Sequence, residues 1–157
     1  MARIAPADFE GNAVQSSLLA RVLGRRPEIL KAFANLDATA RFHGRLPGNL
    51  KESIRRATAG EVGCDYCISL GTYEPDPEDR RESLAVAFAL MIADDPKGIS
   101  DAQFDVLREE FDEEEIVELV AYTCFVAIGG QLFGATMKLE PAPPEEIEAY
   151  QRVLARR

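Results

Sequence analysis

Histidine and cysteine are scarce in this sequence, and their scarcity closes off most metal chemistry. His43 is the one histidine, and the three cysteines are Cys64, Cys67 and Cys124. A zinc site needs four ligands, and neither His43 nor Cys124 stands at ligand-like spacing from the other two cysteines. An odd, sparse set of cysteines also argues against the disulfide framework of a small secreted protein. Positive charge is short as well: 18 Lys and Arg against 27 Asp and Glu leave a formal charge of -9. The basic residues come singly or in pairs such as Arg25-Arg26, Arg55-Arg56 and Arg80-Arg81. Such a surface repels a phosphate backbone, so nucleic acid is not expected as a partner. No apolar run approaches the roughly 20 residues needed to cross a bilayer, and the N-terminal MARIAPADFEG lacks the apolar segment of a signal peptide. Neither a membrane partner nor export is expected, and the expected location is the cytoplasm. The interior has no Ser/Gly/Pro-rich stretch long enough for a linker, so residues 1–157 are expected to form one domain.

What the chain has in quantity is apolar residues at helical spacing. Leu18, Leu19, Val22 and Leu23 predict one helix; Ile29, Leu30, Phe33 and Leu36 predict a second after the break at Pro27. Pro47-Gly48 is a turn, after which Leu50, Ile54 and Ala57 line a third helix ending near Gly60 or Gly63. Cys64 to Leu70 reads as a new helix start, closed by Pro75 and Pro77. Glu82 to Ala93 is apolar on most sides, the pattern of a buried central helix. Ser100 and Gln103 have the spacing of a capping box. Asp112 to Met137 predicts one long helix whose first acids suit the positive end of its dipole, with Gly129-Gly130 allowing a bend or a close backbone approach. Ile147, Tyr150, Val153 and Leu154 predict a last amphipathic helix. Strand-like alternation is absent. The expected class is therefore all-α, with about seven or eight helices.

Cys64 and Cys67 form a CxxC pair. Three cysteines place one pair at this spacing by chance only about 4% of the time, so the spacing points to chemistry. Disulfide chemistry needs nothing beyond the pair, and no cofactor: two thiols near a helix N-terminus can close a small ring, and the helix dipole favours a thiolate. The competing reading makes them two small apolar core residues on one helix face. Cys124 lies among core-patterned residues and is read as core.

The stretch KESIRRATAGEVGCDYCISLG resembles the centre of the carboxymuconolactone decarboxylase and alkyl hydroperoxidase D superfamily. There a helix-borne glutamate precedes the first cysteine by about a dozen residues. Glu52, Cys64 and Cys67 match that pattern. RRPEILKAFANL before the motif, and ESLAVAFAL and SDAQFDVLREEFDEEEIVELV after it, look like the family's flanking helices. The resemblance implies an all-helical, alkyl hydroperoxidase D-like fold assembled as a homo-trimer or homo-hexamer. It also implies a site in which Glu52 takes part in activating one cysteine while the other resolves the intermediate. The sequence departs from the pattern at Gly71, where a proton-relaying histidine is expected. His43 lies well upstream and is read as a surface residue. Glu61 and Tyr66, the nearest other polar groups, are read as exposed.

Three functions remain open at this point. The first is a thiol-dependent antioxidant enzyme reducing hydroperoxides or disulfides with Cys67 as the attacking sulfur, regenerated by a reducing protein partner. The second is a cofactor-free decarboxylase-like enzyme using arginines and a general acid. The third is a non-catalytic oligomeric protein, which Gly71 in place of histidine makes credible.

Overall fold

The computed structural model describes residues 1–8 and 17–155, and among them there is no strand. Phe9, Glu10 and Gly11, part of the N-terminal stretch considered above, lie outside the described residues. The elements are α1 (Leu18–Leu23), α2 (Pro27–Phe42), α3 (Gly48–Val62), α4 (Asp65–Ser69), α5 (Arg80–Asp94), α6 (Asp101–Leu107), α7 (Glu113–Ala121), a π-helical segment (Tyr122–Ile128), α8 (Gly129–Thr136) and α9 (Pro144–Ala155). Because α7, the π segment and α8 run on as one helix from Glu113 to Thr136, the described residues form eight helices.

The boundaries follow local chemistry. Pro27 opens α2, where its missing N–H has no intrahelical partner to lose. Gly63 ends α3 in the left-handed region at φ 73°, a conformation that costs any side chain more than glycine. The Asp79 carboxylate caps α5 through the Glu82 N–H. Gln103 and Glu115 reach back to the backbone N–H groups of Ser100 and Asp112, completing two capping boxes.

Helix α3 is the hub: it packs against α5, the π segment, α4 and α8. Its Leu50 and Ile54 join Ala85, Phe88, Leu119 and Tyr122 in the larger core, each large apolar side chain there contributing about 1.5–3 kcal/mol by leaving water. A second, smaller core gathers Val22, Ala59 and Leu139 around the two cysteines of the motif.

Two sequence expectations are corrected here. The Glu113–Thr136 helix is long and apolar enough to meet the length and composition of a membrane span, contrary to the expectation that no run approaches it. Half of its apolar window is buried inside the protein, as in a core helix. The α5 helix is buried on most sides, as its pattern implied: Ala85, Val86, Phe88 and Ala89 are buried, and the exposed Ser83, Ala87 and Met91 form one narrow stripe. Cys124 is half-buried rather than core, on the stretch of the long helix that also leaves its neighbour Phe125 exposed.

Candidate active site

Cys64 precedes α4 and Cys67 sits on it, and the two are joined as a disulfide with Cα atoms 5.2 Å apart. The Cys64 sulfur accepts the Cys67 N–H at 3.2 Å, which is how the motif caps its own short helix. Their surroundings differ. Cys64 is 0% exposed and packs under α8, where a Cβ on Gly134 would come within 2.7 Å of its Sγ. Cys67 is 6% exposed and lines a cavity of about 810 Å³.

That cavity is lined by α2, through Phe33 and Arg41 among others, and by Arg55, Tyr66, Cys67 and Leu70. Glu146 and Tyr150 of α9 also line it. The π segment and the start of α8 bring Val126, Ala127 and Gln131 to its wall. The lining is mainly apolar with a few converging polar groups, as in most small-molecule sites.

Behind Cys67 lies a buried charge network centred on Glu52, which is 8% exposed. Its Oε1 accepts Arg55 Nη2 and Arg56 Nε, both at 2.8 Å; its Oε2 accepts Arg55 Nε at 2.9 Å and the Tyr150 hydroxyl at 2.7 Å. The Arg41 guanidinium stands 3.7 Å away and is itself held by Asp37 at 2.7 Å. The remaining face of Arg55 donates from Nη1 to the Cys67 carbonyl at 2.9 Å, and Gln131 Nε2 donates to the Arg55 carbonyl at 2.7 Å. A chain of contacts thus joins Glu52 to the dithiol through Arg55. Burial alone would raise the Glu52 pKa, but the hydrogen bonds and charge of Arg55, with Tyr150 and Arg56, hold it below the usual carboxylate range. A carboxylate so held binds protons weakly, which suits a counter-ion better than a base.

Glu52, Cys64 and Cys67 are therefore brought into one neighbourhood. His43 is exposed at the C-terminal end of α2, where its carbonyl accepts Lys51 Nζ at 2.8 Å, and it is not among the described residues lining the cavity. Glu61 is exposed, as expected. Tyr66 is the correction: it is buried, because its ring joins the second core and its hydroxyl donates to Glu146, which also accepts the Leu18 N–H. Burial and Glu146 push its phenol well above the ordinary value.

Sequence reasoning missed Arg55, Arg56, Tyr150 and Gly134. The i+3 and i+4 spacing of Arg55 and Arg56 from Glu52 was visible as a signal for the first two. Tyr150 lies on another helix and Gly134 acts through space, so neither carried one.

The arrangement of helices around a buried CxxC decides the fold. This chain has the alkylhydroperoxidase AhpD-like fold. An uncharacterised peroxidase-related protein of Ralstonia eutropha JMP134, an alkylhydroperoxidase AhpD core, superposes with a TM-score of 0.74 at 19% identity over 93% of this chain and 94% of that one. The debrominase Bmp8 in its apo form gives 0.70 at 20% identity, covering 90% and 88%. A peroxidase-related protein of Silicibacter sp. TM1040 gives 0.67 at 17%, covering 83% and 80%. No family profile matches the sequence, and no curated protein does.

Proposed function

We propose that the chain is a thiol oxidoreductase that reduces hydroperoxides or disulfides by cycling Cys64 and Cys67 between dithiol and disulfide. The observation that carries this reading is the placement of one sulfur of a bonded CxxC pair on the wall of a largely apolar cavity while the other is sealed behind it. The peroxidase-related AhpD-like structures support it. Bmp8 is named a debrominase, so the fold alone does not choose the substrate.

In the reduced protein Cys67 loses its proton to water and its thiolate attacks the terminal oxygen of a hydroperoxide. An S–O bond forms, the O–O bond breaks, and the alkoxide leaves as an alcohol after taking a proton from water. The Cys64 sulfur then attacks the Cys67 sulfur: an S–S bond forms, the S–O bond breaks, and water departs carrying the Cys64 proton. Two electrons pass from the dithiol to the peroxide. A disulfide substrate follows the same order through a mixed disulfide. An external dithiol, supplied in this reading by a reducing protein partner, returns the pair to the reduced state. Such a cycle fits a reducing compartment, and in this reading the protein works in the cytoplasm as a homo-trimer or homo-hexamer that binds neither nucleic acid nor membrane.

The test is thiol titration of the reduced protein with and without a hydroperoxide. Wild type loses two thiols per chain and two hydrogens of mass. Cys67→Ser abolishes turnover, while Cys64→Ser allows at most one oxidation event per chain. Unchanged turnover in both single variants removes the assignment.

A further inference from the structure

Activation of Cys67 is chemically unfinished business at this site. A thiol is mostly protonated at neutral pH, since its ordinary pKa is about 8.5. The described groups around Cys67 offer no free base. Glu52 is locked by two guanidiniums and a phenol. From α2, Asp37 is paired with Arg41. From α9, Glu146 accepts the Tyr66 hydroxyl and the Leu18 N–H. The phenols of Tyr66 and Tyr150 are both raised by burial and stay protonated. Asp8 and Lys31 stand on the cavity wall with neither hydrogen-bonded to Cys67, and the partner thiol Cys64 is sealed.

We propose that Arg55 is the positioning residue for Cys67, supplying a permanent positive charge in place of a titrating base. Its orientation is the argument. The Nε and Nη2 edge faces Glu52 and the Nη1 end faces the Cys67 carbonyl, so the ion pair is a dipole whose positive end meets the backbone of Cys67. A cysteine sulfur stays within about 5 Å of its own carbonyl oxygen, which keeps Nη1 within about 8 Å of the Cys67 Sγ in any rotamer. The interior location limits screening of that charge.

Gly71 completes the case. Its φ of 141° is a conformation for glycine, and a Cβ there would lie 3.1 Å from the Arg56 Cζ and Nε. The Arg56 guanidinium thus fills the space beside residue 71 and braces Glu52 from the far side. This chain has packed the Arg56 guanidinium where a side chain at 71 would project. The inference rests on Cys67 being the reactive sulfur of the proposed cycle.

The experiment reads the thiol directly: alkylation rate of Cys67 against pH, followed by peptide mass spectrometry in reduced protein carrying Cys64→Ser. The parent protein gives one inflection, below the ordinary thiol value. Arg55→Gln moves it upward and slows alkylation at pH 7 about tenfold, while Arg55→Lys recovers most of the rate. Glu52→Gln has the opposite sign, a faster reaction at pH 7, because it removes the negative end of the dipole. An unchanged profile in folded Arg55→Gln overturns the proposal. So does slowing in Glu52→Gln, which would make Glu52 the base; this arm decides the matter if circular dichroism shows Arg55→Gln unfolded. No peroxide is used, so a protein that passes yet reduces no peroxide loses the proposed function and keeps this inference.

Discussion

Gly134 has no polar atom to offer beyond its backbone, yet it sets how near α8 can come to the dithiol. A methyl group there would meet the Cys64 sulfur at 2.7 Å and the Cys67 sulfur at 3.5 Å. Neither neighbour is the free end of a flexible chain, since the two sulfurs are bonded to each other. Gly134→Ala is therefore expected to destabilise the oxidised protein. Overpacking costs about 1–3 kcal/mol, and the better helix propensity of alanine returns up to about 1 kcal/mol of it. Gly60 is the internal control: it lies in α3 with open space where its Cβ would be, so Gly60→Ala should stabilise by about 0.5–1 kcal/mol. Urea unfolding of the two variants side by side checks both signs. A stabilised Gly134→Ala would mean that α8 and the disulfide are not in contact.

At the scale of elements, helix identity was legible because apolar spacing, caps and breakers agreed: Pro27 opens α2, Gly63 closes α3, and the Ser100-Gln103 box starts α6. The π segment was not legible, since one widened turn hardly disturbs an apolar stripe. Of the candidate site, the cysteine pair was legible from its spacing, and Glu52 only through the family resemblance of the same stretch. Tyr150 and Glu146 were not, because they arrive from α9 through folding. Lys51 was hidden for another reason: a lysine in a helix reads as solvated, yet this one is 1% exposed. It bridges α3 to α7 through Glu118 at 2.6 Å and holds the His43 carbonyl. Lys51→Met keeps the volume and removes the charge, leaving Glu118 with only the N–H groups of Arg45 and Leu46. Breaking a buried pair costs about 3–5 kcal/mol; because Glu118 is partly exposed, about 2–4 kcal/mol is expected here. Chemical denaturation measures it, and a loss below about 0.5 kcal/mol would show the pair to be incidental.

Two features belong to the molecule as a whole. The first is its response to acid. Burial works to raise the carboxyl groups of Glu52 and Glu118, but Arg55 in one case and Lys51 in the other bring both below the ordinary range. Their stabilisation is fully present above the unfolded carboxylate pKa of about 4.3 and is lost as pH falls through the lower folded values. Melting temperature should hold steady from neutrality to about pH 5, then fall below about pH 4, with a shallower fall in Glu52→Gln.

The second feature is an uncovered apolar face. No residue of α2 is buried although it carries Ile29, Leu30, Phe33 and Leu36; Ile29 and Leu36 are exposed. The helix it packs along exposes Val117, Phe125 and Leu132, spaced about two turns apart. Large apolar side chains grouped in this way mark an interface more often than a bare surface. A second copy of the chain is the proposed occupant, and it would bury the face of α2 that the fold leaves open. Sedimentation should then give a multiple of the chain mass. Phe125→Glu combined with Leu132→Glu should return a monomer with its helical circular dichroism intact, because neither side chain contributes to the core. A wild-type protein that sediments as a monomer at micromolar concentration would leave this face without the partner assigned to it.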